Sequence, residues 1–157
     1  MRVYISGKID VAVISEATRR KFARAEEMLK AKFGDEVTVI NPTSEYFQEN
    51  MRVHFQVLGV PVNYQEVLLF DLHWIGTCGA VYFLEDFENS PGATSEYYFA
   101  LASKKRFFFA AKRNASLYLW GELSKNNEEF RNMSLSKGYD YGKKYELQHL
   151  DEVWLPL

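Results

Sequence analysis

The sequence predicts an α/β fold: a Rossmann/flavodoxin-like parallel sheet of four to five strands flanked by helices. Three observations predict it. Short β-prone segments recur at Val3–Ser6, Val37–Ile40, Ala80–Leu84 and Arg106–Ala110. Stretches with apolar residues at helical spacing separate them. The third and fourth segments are continuous apolar runs, with Phe107, Phe108 and Phe109 contiguous, as expected where helices cover both faces of a sheet. Alternation of strand and helix implies parallel neighbours joined by right-handed crossovers.

In order, Val3–Ser6 ends at Ser6-Gly7-Lys8, a common opening for such domains. Ser15 is placed to cap a helix that runs to about Phe33. Phe22, Ala25, Leu29 and Phe33 mark its apolar side, and Arg19, Arg20, Lys21, Glu26 and Lys30 its wet side. Gly34 supplies the stop. Asn41-Pro42 ends the second strand. Thr43 to Val62 resists assignment, because Tyr46, Phe47, Met51, Phe55, Leu58, Val60 and Val62 are too apolar for a free loop and Gly59-Val60-Pro61 breaks a helix. A lid, a dimer contact and a cluster covering the sheet edge are the alternatives, with packing preferred to the lid. Asn63 is placed to cap a helix over Tyr64 to Thr77, with Val67, Leu68, Leu72 and Ile75 as its stripe and Asp71 beside it. Cys78-Gly79 closes that helix. Another helix runs from Pro91 to about Ser103. Lys112 to Leu157 is less regular, with partly helical (Ser116–Phe130), turn-rich (Ser134–Lys144) and strand-like (Glu152–Leu155) pieces. Tyr139, Tyr141 and Tyr145 read as aromatic cover for the sheet.

The 157 residues fit one domain, long enough to bury about two-thirds of the unfolded surface. Hydrophobic content of 47% and aromatic content of 16% support a packed core. A net charge of −2, with both signs interspersed, lacks the electrostatic footprint of a protein that binds polymeric nucleic acid or an anionic membrane. A single nucleotide stays compatible with it. Cys78 is the only cysteine, which leaves no intramolecular disulfide and no cysteine-cluster metal site. The N-terminus lacks the apolar core of a signal peptide and no run is long enough to span a bilayer, so a cytoplasmic setting is expected. His54, His73 and His149 lack ligand spacing, and neither a metal nor a cofactor is expected.

Chemistry concentrates in Asn89-Ser90-Pro91-Gly92-Ala93-Thr94-Ser95-Glu96, after the third strand. Pro91 suits the first helical turn, where its missing N–H costs nothing. Gly92 lets backbone approach a ligand. N–H groups at such a helix start, with the helix dipole, attract anions and oxygen-rich groups. Glu96 follows about one and a half turns on, where it can aim a carboxylate at whatever the loop holds. The competing reading is an ordinary turn with Glu96 on the solvent face. Ligands of parallel sheets bind beyond the carboxyl ends of the strands. That rule brings Tyr4, Ser6 and Gly7 toward Ser90 and Glu96. Glu85, Asp86 and Glu88 read as a solvated acidic loop rather than a cation site.

Three pieces of chain occur in a familiar order: Tyr4-Ile5-Ser6-Gly7-Lys8-Ile9, then Asp71-Leu72-His73-Trp74-Ile75, then Ser90-Pro91-Gly92 leading to Glu96. Together, over residues 1 to 110, they resemble the nucleoside 2-deoxyribosyltransferase superfamily, which includes the 2′-deoxynucleoside 5′-phosphate N-hydrolases. The likeness is greatest to a small bacterial and phage branch that shares the opening hexapeptide. The resemblance implies cleavage or transfer at the N-glycosidic bond of a (deoxy)nucleoside or its 5′-monophosphate. It implies Glu96 as nucleophile, Asp71 as the acid near the leaving base, and Tyr4 as the group that positions nucleophile and sugar. Ser6, Gly7, Ile9, Ser90 and Gly92 would line the substrate. Ser90 stands where nucleoside transferases carry an aspartate and nucleotide hydrolases a serine, which points to a 5′-phosphate. The resemblance also implies a homodimer or higher homo-oligomer. Gly79 departs from the aspartate that relatives often carry there, and residues 111 to 157 diverge. The alternatives are a non-catalytic nucleotide-binding module and a homo-oligomeric structural protein with a vestigial pocket.

Overall fold

Two interior strands, the first and third of the chain, organise the architecture. The computed structural model describes residues 1–9 and 13–110. The expectations for Lys112 to Leu157, including Tyr139, Tyr141, Tyr145 and His149, lie outside the described residues. Strand β1 (Arg2–Ser6) pairs in parallel with β2 (Thr38–Ile40) on one side and with β3 (Ala80–Phe83) on the other. Strand β4 (Arg106–Phe109) pairs in parallel with β3, giving the order β2-β1-β3-β4. The expected α/β class and its four strands are therefore present. The chain builds outward from β1 to β2, then returns and builds the other way through β3 and β4. Strand order thus reverses between β1 and β3, the point at whose carboxyl ends parallel sheets place their ligand crevice.

The helices form where local signals place them. Helix α1 (Glu16–Phe33) starts at Ser15, whose Oγ accepts the Thr18 N–H, and ends at Gly34 with φ of 60°. Helix α3 (Tyr64–Gly76) starts at Asn63, which accepts the Glu66 N–H. Helix α4 (Pro91–Ala102) starts at Ser90 with Pro91 in its first turn. The unassigned stretch contains a further helix, α2 (Glu45–Leu58), capped by Ser44 and closed by Gly59 in the left-handed conformation. Its apolar residues crowd more than one face: Phe47 and Phe55 are buried, whereas Tyr46, Val53, Val57 and Leu58 are exposed. That spread blurs the helical period in the sequence. The buried side of α2 serves packing.

The period of two along β1 sorts its side chains between two cores. Val3 and Ile5 face α1 and pack with Phe22, Ala25, Leu29, Tyr82 and Phe108. Tyr4 faces the opposite layer, with Phe47 and Phe55 of α2, Phe70 and Ile75 of α3, and Tyr97 of α4. Phe107 and Phe109 join that second layer, so the contiguous phenylalanines of β4 do fill both faces. Phe83 stacks on Phe109 with ring centroids 5.4 Å apart. The Phe47 ring meets Phe70 edge-on at 5.3 Å. Such pairs add about 0.5–1.5 kcal/mol beyond their buried area. Phe70, outside the stripe read from the sequence, is the buried anchor of α3 together with Ile75.

Part of the expected wet side of α1 has partners. Arg19 donates to the Thr43 carbonyl at 2.7 Å, and Glu26 accepts from Asn41 at 2.9 Å. Both are half-buried, because the turn after β2 folds over this helix. No helix among the described residues is long and apolar enough to cross a membrane.

Gly7 is buried where the loop after β1 crosses the loop after β3. A Cβ at this position would lie 2.7 Å from Leu84 Cδ1 and 3.0 Å from Leu84 Cβ. Gly7→Ala should therefore destabilise the protein by about 1–3 kcal/mol, read as a lower urea midpoint at unchanged slope. A midpoint equal to the parent's would mean that the two loops separate without penalty.

Candidate active site

Four side chains from three elements meet at the reversal of strand order. Tyr4 and Ser6 are two residues apart on β1 and so project to the same face of the sheet. Glu96 comes from α4 on a stripe whose other members, Ala93, Tyr97 and Ala100, are all buried. Spacing of three, four and seven residues puts these side chains on one face of the helix. Glu96 is only 6% exposed. Its Oε1 accepts from the Tyr4 hydroxyl at 3.4 Å and its Oε2 from the Ser6 hydroxyl at 2.5 Å. Asp71 of α3 is half-buried and turns its carboxyl group to the same Tyr4 hydroxyl.

Electrostatics follow from this crowding. Burial holds the Glu96 carboxyl well above the usual carboxylate range, the charge of Asp71 pushes it further, and the hydrogen bonds from Ser6 and Tyr4 pull it down. Burial raises Asp71 to about 7, against a smaller lowering by its hydrogen bond with Tyr4. The Tyr4 phenol is held well above its ordinary value by burial, then by the charges of Asp71 and Glu96. Two like charges this close disfavour joint ionisation. Near neutrality the pair therefore retains a proton and titrates as a unit. One acid and one anion side by side make a proton donor and a nucleophile available together.

The remaining residues singled out by sequence have different placements. Gly7 is at the crevice, where it serves the close approach to Leu84. Ile9 packs against the α1-side core, on the other side of the sheet from Glu96. Ser90 is half-buried and its Oγ accepts the Ala93 N–H at 3.3 Å, while its carbonyl accepts the Thr94 N–H at 2.9 Å. Pro91 has no N–H. Of the first-turn donors, Gly92 is the one not engaged by Ser90, so the anion cradle is narrower than the helix start suggests. A Cβ on Gly92 would lie 3.2 Å from the Tyr64 hydroxyl. Tyr64 thus reaches from the start of α3 to the mouth of α4, a placement with no local sequence signal.

Asp86 is also not the solvated loop residue expected. Its Oδ1 accepts the Lys8 N–H at 3.1 Å, and its Oδ2 pairs with Lys21 at 2.5 Å. Lys21, expected on the wet side of α1, donates as well to the Lys8 carbonyl at 2.9 Å. These contacts pin the loop after β1 to the loop after β3. They span 65 and 78 residues of sequence, beyond the reach of any motif. Among the described residues no group of three or more His, Cys, Asp or Glu side chains is placed to hold a metal ion.

A family model described as a domain of unknown function, DUF4406, matches residues 1–109. The chain belongs to the DUF4406 family. No curated protein matches it. Among solved structures the DUF4406 chain is similar to a 2-desoxiribosyltransferase from Leishmania mexicana, with 18% identity over 76% of this chain and 71% of that one and a TM-score of 0.44. In this DUF4406 domain the matched residues include all of β1, α3 and α4, hence every member of the buried cluster.

The raised Asp71 fixes the sign of a pH dependence. A carboxyl group with a folded-state value near 7 and an ordinary value of 3.8 binds protons more tightly when folded. Its contribution to stability is therefore fully present below about pH 4 and declines as pH rises through 7. Asp71→Asn should be more stable than the parent at pH 8 by roughly 1–2 kcal/mol, a figure reduced from the full shift because the residue keeps some contact with solvent. The gain should vanish near pH 4. Thermal melts across that range test this, and an advantage independent of pH would contradict it.

Proposed function

We propose that this protein cleaves or transfers at the N-glycosidic bond of a (deoxy)nucleoside or its 5′-monophosphate through a glycosyl-enzyme ester on Glu96. The observation that carries this reading is a buried glutamate, held by two hydroxyls of β1 and paired with a second carboxyl group at the crevice. The ordered motifs that resemble the deoxyribosyltransferases support it independently. Burying a carboxylate without function is expensive. A carboxylate that must attack an anomeric carbon benefits from being dry, because its charge then acts at full strength on an oxocarbenium-like transition state.

The steps follow from the residues. Glu96 attacks the anomeric carbon while the carbon–nitrogen bond breaks and its electron pair passes to the base. Protonated Asp71 supplies the proton that the base needs to leave. Water, or a second base, then attacks the same carbon and releases Glu96. Tyr4 lies between both carboxyl groups and keeps them in register. Ser90 and Gly92 lie up to six residues before Glu96, about 9 Å along the helix. That span suits a pentose whose far end carries the 5′ substituent. The Ser90 hydroxyl hydrogen and the Gly92 N–H then contact a phosphate at the positive end of the helix dipole.

Incubation with a panel of nucleosides and 5′-monophosphates, followed by chromatography, should show release of free base. Glu96→Gln should lower the rate at least about a thousandfold without losing ligand affinity. Activity should fall in both acid and alkali, because the active form carries one proton on the pair: acid adds a second and alkali removes the one. A parent protein that binds the panel and releases no base is a binding module instead. In titration calorimetry a monophosphate should bind at least tenfold, about 1.4 kcal/mol, more tightly than its nucleoside. The reverse order would remove the phosphate from the proposal.

A further inference from the structure

We propose that Ser6 is the positioning residue that holds the Glu96 carboxyl group for attack. Its hydroxyl donates to Oε2 of Glu96 and favours the ionised form of that carboxyl group against the burial that disfavours it. The inference rests on the glycosyl-transfer reading above and makes it more specific.

The geometry is asymmetric. Ser6 is 1% exposed and its Oγ lies 2.5 Å from Oε2 of Glu96, whereas the Tyr4 hydroxyl lies 3.4 Å from Oε1. The Ser6 carbonyl accepts the Leu84 N–H at 2.8 Å, which anchors the residue in the sheet. Tyr4 has one hydrogen to give and faces both carboxyl groups. Ser6 faces Glu96. A donor stabilises the ionised form of the carboxyl group it contacts, so the Ser6 hydroxyl opposes the burial and the Asp71 charge that favour protonated Glu96. Among the described residues, the titratable groups that act on Glu96 are Asp71 from α3 and Tyr4 from β1.

This arrangement also selects the attacking atom. Oε2 is engaged by the shorter bond, so Oε1, which has only the longer contact with Tyr4, is the nucleophilic oxygen. In the first step Oε1 bonds to the anomeric carbon, the carbon–nitrogen pair passes to the base, and the Asp71 proton follows it. In the second, a water oxygen bonds to that carbon, its proton goes to Asp71, and the ester carbon–oxygen pair returns to Oε1. Ser6 then stabilises the departing carboxylate.

Ser6→Ala and Ser6→Thr test the assignment by two routes. In the pH profile of kcat/KM, Ser6→Ala should move the acidic limb up by about one unit, a tenfold loss at pH 6 that shrinks toward pH 8. Ser6→Thr, which retains the hydroxyl, should keep the parent's limb. A role in packing alone would lower the rate evenly at every pH. The second route needs no turnover: a carbon-13 NMR titration of the Glu96 carboxyl should show it ionising at higher pH in Ser6→Ala than in the parent. An unchanged titration would overturn the proposal. So would a shift to lower pH, which would make Ser6 an acceptor from protonated Glu96. Should Ser6→Ala fail to fold, Ser6→Cys, a weaker donor of similar size, is read in the same way. A parent with no turnover on any substrate would sink the glycosyl-transfer reading, while the carboxyl titration would still decide what Ser6 does to Glu96.

Discussion

A carboxylate inside a protein needs hydrogen-bond donors, and the position of Glu96 on the inner face of α4 makes the neighbouring strand supply them. Fully buried, an unpaired carboxylate would neutralise or unfold its surroundings. Strand β1 meets the need with hydroxyls at two positions of one face, Tyr4 and Ser6, where a strand in a dry layer would otherwise carry aliphatic side chains. That choice fixes the register of α4 against β1. A slip of one residue in β1 would turn both hydroxyls toward α1 and leave Glu96 without them.

The surrounding structure is arranged to keep this contact in place. Phe47 packs edge-on against Tyr4 at 6.3 Å, and Phe47 in turn meets Phe70 and Trp74, so the aromatic layer between α2 and α3 limits where the phenol can go. Asp71 directly follows Phe70, and the burial of that ring sets the rotation of α3 that points the carboxyl group inward. Lys21 of α1 pairs with Asp86 at 2.5 Å and also holds the Lys8 carbonyl, which fastens the loop after β3 to the loop after β1. With side chains 28% and 32% exposed, this pair is less screened than the surface pairs of α1 and α2. Gly7 admits the approach because it has no side chain. These are supports for a geometry rather than contacts with a reactant.

The same crowding that raises the carboxyl groups of the cluster makes it costly to stability. Holding protons on carboxyl groups at neutral pH means that the folded state gives up solvation it would keep when unfolded. Proteins accept such terms chiefly at sites of binding or reaction. The rest of the fold offsets the penalty through two cores, one on each face of a four-stranded sheet, both rich in aromatic rings.

The sequence by itself determined the class of fold, the order along the chain of its four strands and of helices α1, α3 and α4, the caps at Ser15 and Asn63, and the stop at Gly34. These are local: a capping side chain acts within three residues, and hydrophobic period is read within a turn or a strand. Whether Glu96 turns inward or to solvent stayed open there, and the burial of Ala93, Tyr97 and Ala100 beside it decides the matter. Tertiary structure alone decided that Ser6 contacts Glu96, that Asp86 and Lys21 join two loops, that Ile9 belongs to the opposite core, and that Thr43 to Val62 forms a helix with a buried side. Each depends on partners tens of residues away or on a face blurred by exposed apolar side chains. Such contacts are set by how the layers close over one another, which local pattern does not encode.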